Sequence, residues 1–201
     1  MKKAICTLAV LTALTSAQAF AHKEGDFIIR AGLASVVPND DSDELAPGVK
    51  LEVDSNTQIG LTFGYMFTDN ISFEVLAATP FSHDIATTGG PDIAETKHLP
   101  PTFMVQYYFG TAESDFRPYV GAGLNYTIFF DEKIDGGTLS LDDSFGLAAN
   151  VGLDYMLNDD WFVNASVWYA DIDTEATING STKVDVDIDP WVFMISGGYK
   201  F

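Results

Sequence analysis

Thiols, basic side chains and long apolar runs are all scarce in this chain of 201 residues. Cys6 is the only cysteine, and it sits in an N-terminal stretch that reads as removable. It precedes most of the apolar part of that stretch, so it cannot become the lipidated first residue of a lipoprotein. The remaining chain therefore has no disulfide and no cysteine ligand for a metal. Ten lysines and arginines stand against 29 acids, for a net charge of -19. That excludes a nucleic-acid partner, because nothing here could neutralise a phosphate backbone. After residue 21 no segment is long and apolar enough for a transmembrane helix. The histidines are His22, His83 and His98 alone. Ser82 and His83 sit where a strand enters a loop, and adjacent residues on a strand point to opposite faces, which disfavours them as a nucleophile–base pair. The chain reads as a non-enzyme without a cofactor.

Lys2 and Lys3 form a short basic opening, and Ala4 to Ala17 is apolar but too short to span a bilayer. Ala19-Phe20-Ala21 then offers small residues to signal peptidase, which predicts cleavage before His22. Ala17-Gln18-Ala19 offers a competing site, before Phe20. Residues 1–21 thus read as a signal peptide and residues 22–201 as one exported domain. Losing the leader removes two lysines and no acid, which moves the net charge from -19 to -21. Without disulfides, such a domain must be held by its backbone ladder and packing. A closed barrel meets that demand, because it leaves no strand edge unpaired.

What the chain does have is alternation. Trp191, Phe193, Ile195, Gly197, Tyr199 and Phe201 interleave with Val192, Met194, Ser196, Gly198 and Lys200. Period-two patterning of this kind predicts eight strands, near 25–37, 57–67, 71–81, 102–109, 117–130, 144–157, 161–170 and 190–201. The connections alternate in length. Residues 68–70, 110–116 and 158–160 are short turns, whereas 38–56, 82–101, 131–143 and 171–189 are long and polar. Membrane barrels sort their connections in this way, with short turns periplasmic and long loops outside. The reading is an all-β fold: an eight-stranded antiparallel, up-and-down transmembrane β-barrel of the bacterial outer-membrane type, with both termini periplasmic.

Within the strands, Arg30, Glu74, Asp154 and Lys200 all fall on the face away from lipid. A lipid-facing Arg or Lys near the midplane would cost about 2–4 kcal/mol. These four predict a partly polar lumen in which acids and bases pair. Tyr107, Phe109, Tyr119, Phe129, Phe130, Trp161, Trp191 and Tyr199 lie near strand ends, where interfacial girdles belong. The four long loops hold 20 acids and 4 lysines, a net of -16. Asp40-Asp41-Ser42-Asp43-Glu44, Asp131-Glu132 with Asp142-Asp143, and Asp185 with Asp187 and Asp189 could draw divalent cations, which would also bridge them to lipopolysaccharide. None has the spacing of an EF-hand loop.

Several segments, in order, resemble the OmpW family of small outer-membrane proteins. They include Asn56-Thr57-Gln58-Ile59-Gly60-Leu61-Thr62-Phe63, Leu76-Ala77-Ala78-Thr79-Pro80-Phe81 and His98-Leu99-Pro100-Pro101-Thr102. Phe116-Arg117-Pro118-Tyr119-Val120-Gly121-Ala122-Gly123, Val167-Trp168-Tyr169 and Asp189-Pro190-Trp191-Val192-Phe193-Met194 complete the set. The resemblance implies a narrow, largely apolar channel for small hydrophobic molecules. By motif its constriction falls on Leu76 and Trp168, with Met66, Met104 and Met194 also lining the lumen. The terminal aromatic pair, Tyr199 and Phe201, resembles the signal read by the barrel assembly machinery. Outer-membrane lipids, lipopolysaccharide and small hydrophobic ligands are the expected partners. The rival reading is a sealed structural barrel whose acidic loops contact a partner at the surface.

Overall fold

The computed structural model describes residues 21–39, 41, 42, 44 and 48–201. Apart from Ala21, the leader lies outside the described residues, as do the competing cleavage site before Phe20 and Asp40 and Asp43 of the first acidic run. Among the described residues all regular structure is β. The strands are β1 (Phe27–Val37), β2 (Asp41–Ser42), β3 (Leu51–Val53), β4 (Asn56–Met66), β5 (Ile71–Ala78), β6 (Phe81–Thr87), β7 (Asp92–Leu99) and β8 (Thr102–Tyr108). They continue with β9 (Phe116–Ile134), β10 (Leu139–Leu141), β11 (Ser144–Met156), β12 (Trp161–Ala170), β13 (Asp173–Ile178), β14 (Thr182–Asp187) and β15 (Trp191–Lys200).

Eight of them close the barrel, in the order β1-β4-β5-β8-β9-β11-β12-β15. Each pairs antiparallel with its neighbour, and β15 returns to β1 with Ile28 opposite Lys200 and Val37 opposite Trp191. No edge of the eight is left open, which is what a bilayer demands of a sheet. Alternate residues turn outward and stay bare: Leu33, Phe145, Leu147 and Ile195 are each more than 60% exposed. A band of this kind around a whole domain is a lipid face rather than a failed core. At the short-turn end, rings pair around the rim: Phe27 with Tyr65, Trp161 with Tyr199 and Tyr199 with Phe201, at 4.8–4.9 Å between centroids.

Two expectations need correction. The long connections are not irregular polar loops. They carry β2, β3, β6, β7, β10, β13 and β14, and β9 runs on to Ile134 after a kink at Asp131, whose φ is 54°. Their charged residues belong largely to one face. In β14, Val184 and Val186 are buried, while Lys183, Asp185 and Asp187 face out. The second correction concerns the girdle. Tyr119 and Phe129 are buried, 1% and 7% exposed, because the outward set of β9 through the bilayer is even-numbered. Proximity to a strand end does not by itself bring a ring to the headgroups.

The lumen is narrow, and two glycines allow large rings to lie flat across it. A Cβ on Gly198 would stand 2.1 Å from the Phe162 ring, and one on Gly152 would stand 2.3 Å from that of Tyr119. Only a residue without a side chain fits at either position.

Candidate functional site

The lumen divides into layers along the barrel axis. Above the lipid-facing band, two small sheets face each other. One joins β3, β6 and β7 to the upper part of β9; the other runs β10-β13-β14-β2. Leu51, Ile85, Ala176, Val184 and Val186 meet between them as an apolar cluster. A cavity of about 40 Å³ lies there. A second cavity of about 30 Å³ lies beneath it. Val36, His98, Ile172 and Pro190 line both, so the two form one apolar column.

Leu76 and Trp168 line the lower cavity and pack together in one buried cluster with Ala34, Met104, Val192 and Met194. The expected pair and two of the three expected methionines are therefore neighbours. Trp168 Nε1 donates to Ser166 Oγ at 3.0 Å, which satisfies the one polar atom of the indole. Met66 belongs elsewhere, packing with Ile28, Tyr108, Tyr119, Met156 and Phe162 nearer the short turns.

Between these two apolar clusters lies a charged layer. Arg30 ion-pairs with Glu74 through Nη1, and Nη2 donates to Asp154 Oδ2 at 2.6 Å and to the Tyr108 hydroxyl at 2.5 Å. Its Nε reaches Asp154 Oδ1 at 3.3 Å. Glu74 also accepts from Thr62 and Gln106, and Asp154 from Asn164 Nδ2 at 2.7 Å. The guanidinium lies 5.4 Å from the centres of both the Tyr119 and Phe162 rings. Every charged atom of the three residues is engaged, as burial requires. Lys200 takes no part: it donates to the Ala21 carbonyl at 2.9 Å and stands 3.7 Å from Asp26.

Two members of the lower lumen went unread in the sequence. His22 is wholly buried and donates from Nε2 to Asp154 at 2.7 Å. Arg117, also buried, donates to the carbonyls of Phe109, His22, Thr111 and Asp69, and so ties two short turns to the N-terminal segment. Arg117 occupies an inward position of β9, the signal that could have found it. His22 carried no such signal, because a segment before the first strand has no periodicity.

The wall beside the lower cavity has a seam. β5 pairs β8 up to Leu76 opposite Thr102, and β6 pairs β7 from Phe81 opposite His98. Between those pairs, residues 77–80 face 99–101, a stretch containing Pro80, Pro100 and Pro101. Proline has no N–H to give the ladder. Ala78 and Pro100 line the lower cavity at this point.

At the surface, carboxylate oxygens of Asp171, Asp173 and Asp189 converge within 4.8 Å. Burial and the neighbouring acids Asp171, Asp187 and Asp189 raise the Asp173 pKa. Asp189 is already occupied in part, accepting from the Ile172 amide and the Tyr169 hydroxyl. Within the roof, His83 and His98 stack at 4.9 Å with 14° between their planes. Ser82 turns away from His83 and donates to Glu95, so the two assemble no catalytic pair.

A closed antiparallel barrel with a bare apolar belt, aromatic rims and a charged, packed lumen defines a bacterial outer-membrane protein. A family model described as the OmpW family matches residues 23–201. The chain is 69% identical to outer membrane protein W of Vibrio cholerae serotype O1 and 51% identical to that of Escherichia coli K12, with all of each chain covered. The crystal structure of outer membrane protein OprG from Pseudomonas aeruginosa superposes with a TM-score of 0.86 at 48% identity, covering 90% of this chain and 98% of that one. The chain belongs to the OmpW family.

Proposed function

We propose that the barrel takes up small hydrophobic molecules from outside and releases them sideways into the membrane. The observation that carries this reading is the apolar column, which runs from between the two roof sheets down to Leu76 and Trp168 and borders the proline seam. In this reading Leu76 and Trp168 form its floor and constriction. Below them the route toward the periplasm is blocked by the Arg30–Glu74–Asp154 layer, whose desolvated charges an apolar solute cannot replace. At the seam, by contrast, few backbone hydrogen bonds stand between column and lipid. A solute leaving there passes from one apolar medium to another, and burial of its surface is never reversed. Export through a signal peptide covering residues 1–21 and delivery by the barrel assembly machinery belong to the same proposal.

The test is the double substitution Leu76→Ala and Trp168→Ala in reconstituted liposomes. The ladder and lipid face are untouched, and two bulky side chains give way to open volume. Uptake of a small apolar fluorophore should rise several-fold while ion conductance stays at background, because the charged layer below remains. A folded double variant with unchanged uptake would overturn the channel and leave a sealed structural barrel as the better reading.

A further inference from the structure

The roof holds a polar feature that passage of plain hydrocarbons does not need. His83 is 3% exposed and lines the upper cavity. Its Nδ1 contacts the backbone carbonyl of Asp54, which can only accept, so Nδ1 carries the ring proton. Nε2 is then a bare acceptor on the opposite side of the ring, buried and without a hydrogen-bond partner among the described residues. Other walls of that cavity are Leu51, Ile85, Ile93, Leu141 and Ala176. A buried acceptor left unpaired is costly, and few persist in folded proteins without a reason.

The ring is held firmly. His98 stacks on His83, and Phe81 and Phe129 lie against His98 at 5.5 and 5.9 Å between centroids. His98 lines both cavities, and its nitrogens make no hydrogen bond among the described residues. Burial holds both imidazoles below their usual pKa, so at neutral pH neither adds charge to the column.

We propose that His83 Nε2 is the polar anchor of a binding site for small apolar molecules carrying one hydroxyl, an alcohol or a phenol. The hydroxyl donates to Nε2, and the hydrocarbon body lies against the aliphatic walls of the two sheets. The chemistry excludes the near alternatives. A carboxylate, ketone or ether brings only acceptors to face an acceptor, and the carboxylate also brings a charge that these walls cannot pair. An alkane fits the walls but leaves Nε2 as it stands. The assignment rests on the uptake reading above and narrows it to a ligand class.

Three probes of similar size separate these cases: 4-propylphenol, 4-propyltoluene and 4-propylanisole. Each is titrated into the full barrel in phosphatidylcholine nanodiscs by calorimetry, with partition into empty nanodiscs subtracted. The native protein should bind the phenol about tenfold more tightly than the other two, the size of one net buried hydrogen bond. His83→Asn keeps an N–H near the place of Nδ1, still able to reach the Asp54 carbonyl, and has nothing at the place of Nε2. It should erase the preference while leaving propyltoluene affinity within about twofold. Nitrogen-15 spectra of the native protein give a readout independent of the variant's folding: the His83 Nε2 resonance should shift with the phenol alone. If propyltoluene binds as tightly as the phenol, or if His83→Asn keeps the preference, the anchor is overturned and the apolar conduit survives. If none of the three binds, both readings fall together.

Discussion

The two halves of the lumen share one wall and almost nothing else. The lower half is filled: Arg30, Glu74 and Asp154 saturate one another, Arg117 binds the carbonyls of two turns, and His22 closes the end. The upper half is apolar, contains the cavities and ends beside a seam without ladder bonds. A dry charge network stabilises little for the desolvation it demands, yet it is costly to break once formed. Such a layer suits a permanent plug. An aliphatic space with a little unfilled volume loses few contacts when its walls part, which suits a place that must admit something. On the uptake reading proposed above, the barrel separates the part that must not change from the part that must.

The sharpest way to break that contrast is at its lower side. Arg30→Ala leaves two carboxylates facing each other in a dry lumen. It should destabilise the barrel by about 3–5 kcal/mol, the scale for a buried pair losing one partner. The heat-modifiable band on a gel, followed through a urea series, would show the loss. Glu74→Ala should cost less, because Arg30 retains both oxygens of Asp154. Near-native stability of Arg30→Ala would mean that water reaches the layer and that the lower half is not a plug.

Much of this arrangement was legible before any coordinates, and for a physical reason. Lipid punishes a misplaced charge, so the inward positions of Arg30, Glu74, Asp154 and Lys200 followed from alternation alone. Leu76 and Trp168 were marked by motif, and the structure brings them into one cluster. Outside the bilayer that penalty is absent. Strands such as β10 and β13 are short, turn only one face to the opposite roof sheet, and mix Ser, Asp, Thr and Glu with their apolar residues. Their composition resembles that of loops. His22 was hidden for another reason: it precedes the first strand and its partner Asp154 lies 132 residues away, so no local pattern advertises it, whereas Arg117 stood at an inward position of β9 that alternation marks. Pro80, Pro100 and Pro101 were visible as residues, but the seam appears only when β5 and β8 are laid side by side.

The terminal aromatic residue tests a different boundary, between assembling the barrel and holding it together. Phe201 is 68% exposed, touches the Tyr199 ring at 4.8 Å and gives one backbone bond to Phe27. It contributes nothing to either half of the lumen. Deleting it should lower the amount of folded protein in cells several-fold, if Tyr199 and Phe201 are read by the assembly machinery. The urea midpoint of the same deletion refolded in detergent should stay close to that of the full chain, since a surface residue away from packed features is usually worth no more than about 0.5 kcal/mol. Equal yield in cells would remove the assembly role and leave the barrel as described.

The last contrast divides the two halves by pH. His98 is held down to about 3 by burial and by the adjacent His83, and burial lowers His83 as well. In the unfolded chain both would titrate near the ordinary histidine value of about 6.5. Below that value the unfolded state binds protons that the folded roof refuses, so stability falls as acidity rises. The loss should begin near pH 6.5 and level off near pH 3, where folded His98 takes its proton too. Above pH 6.5 nothing should change. The strain is local to β6, β7 and the stacked rings, so it should loosen the roof first. Hydrogen-exchange protection in β6 and β7, corrected for the intrinsic rate, should drop between pH 7 and pH 4 by more than that of β12 and β15, since His83 and His98 both lie in the roof and His22 alone in the lower half. His98→Phe keeps a ring in the Phe81–His83 stack and cannot be protonated, so it should remove most of the drop. An acid response of equal size in β12 would mean that the two halves unfold together and that the division drawn along the barrel axis carries no energetic weight.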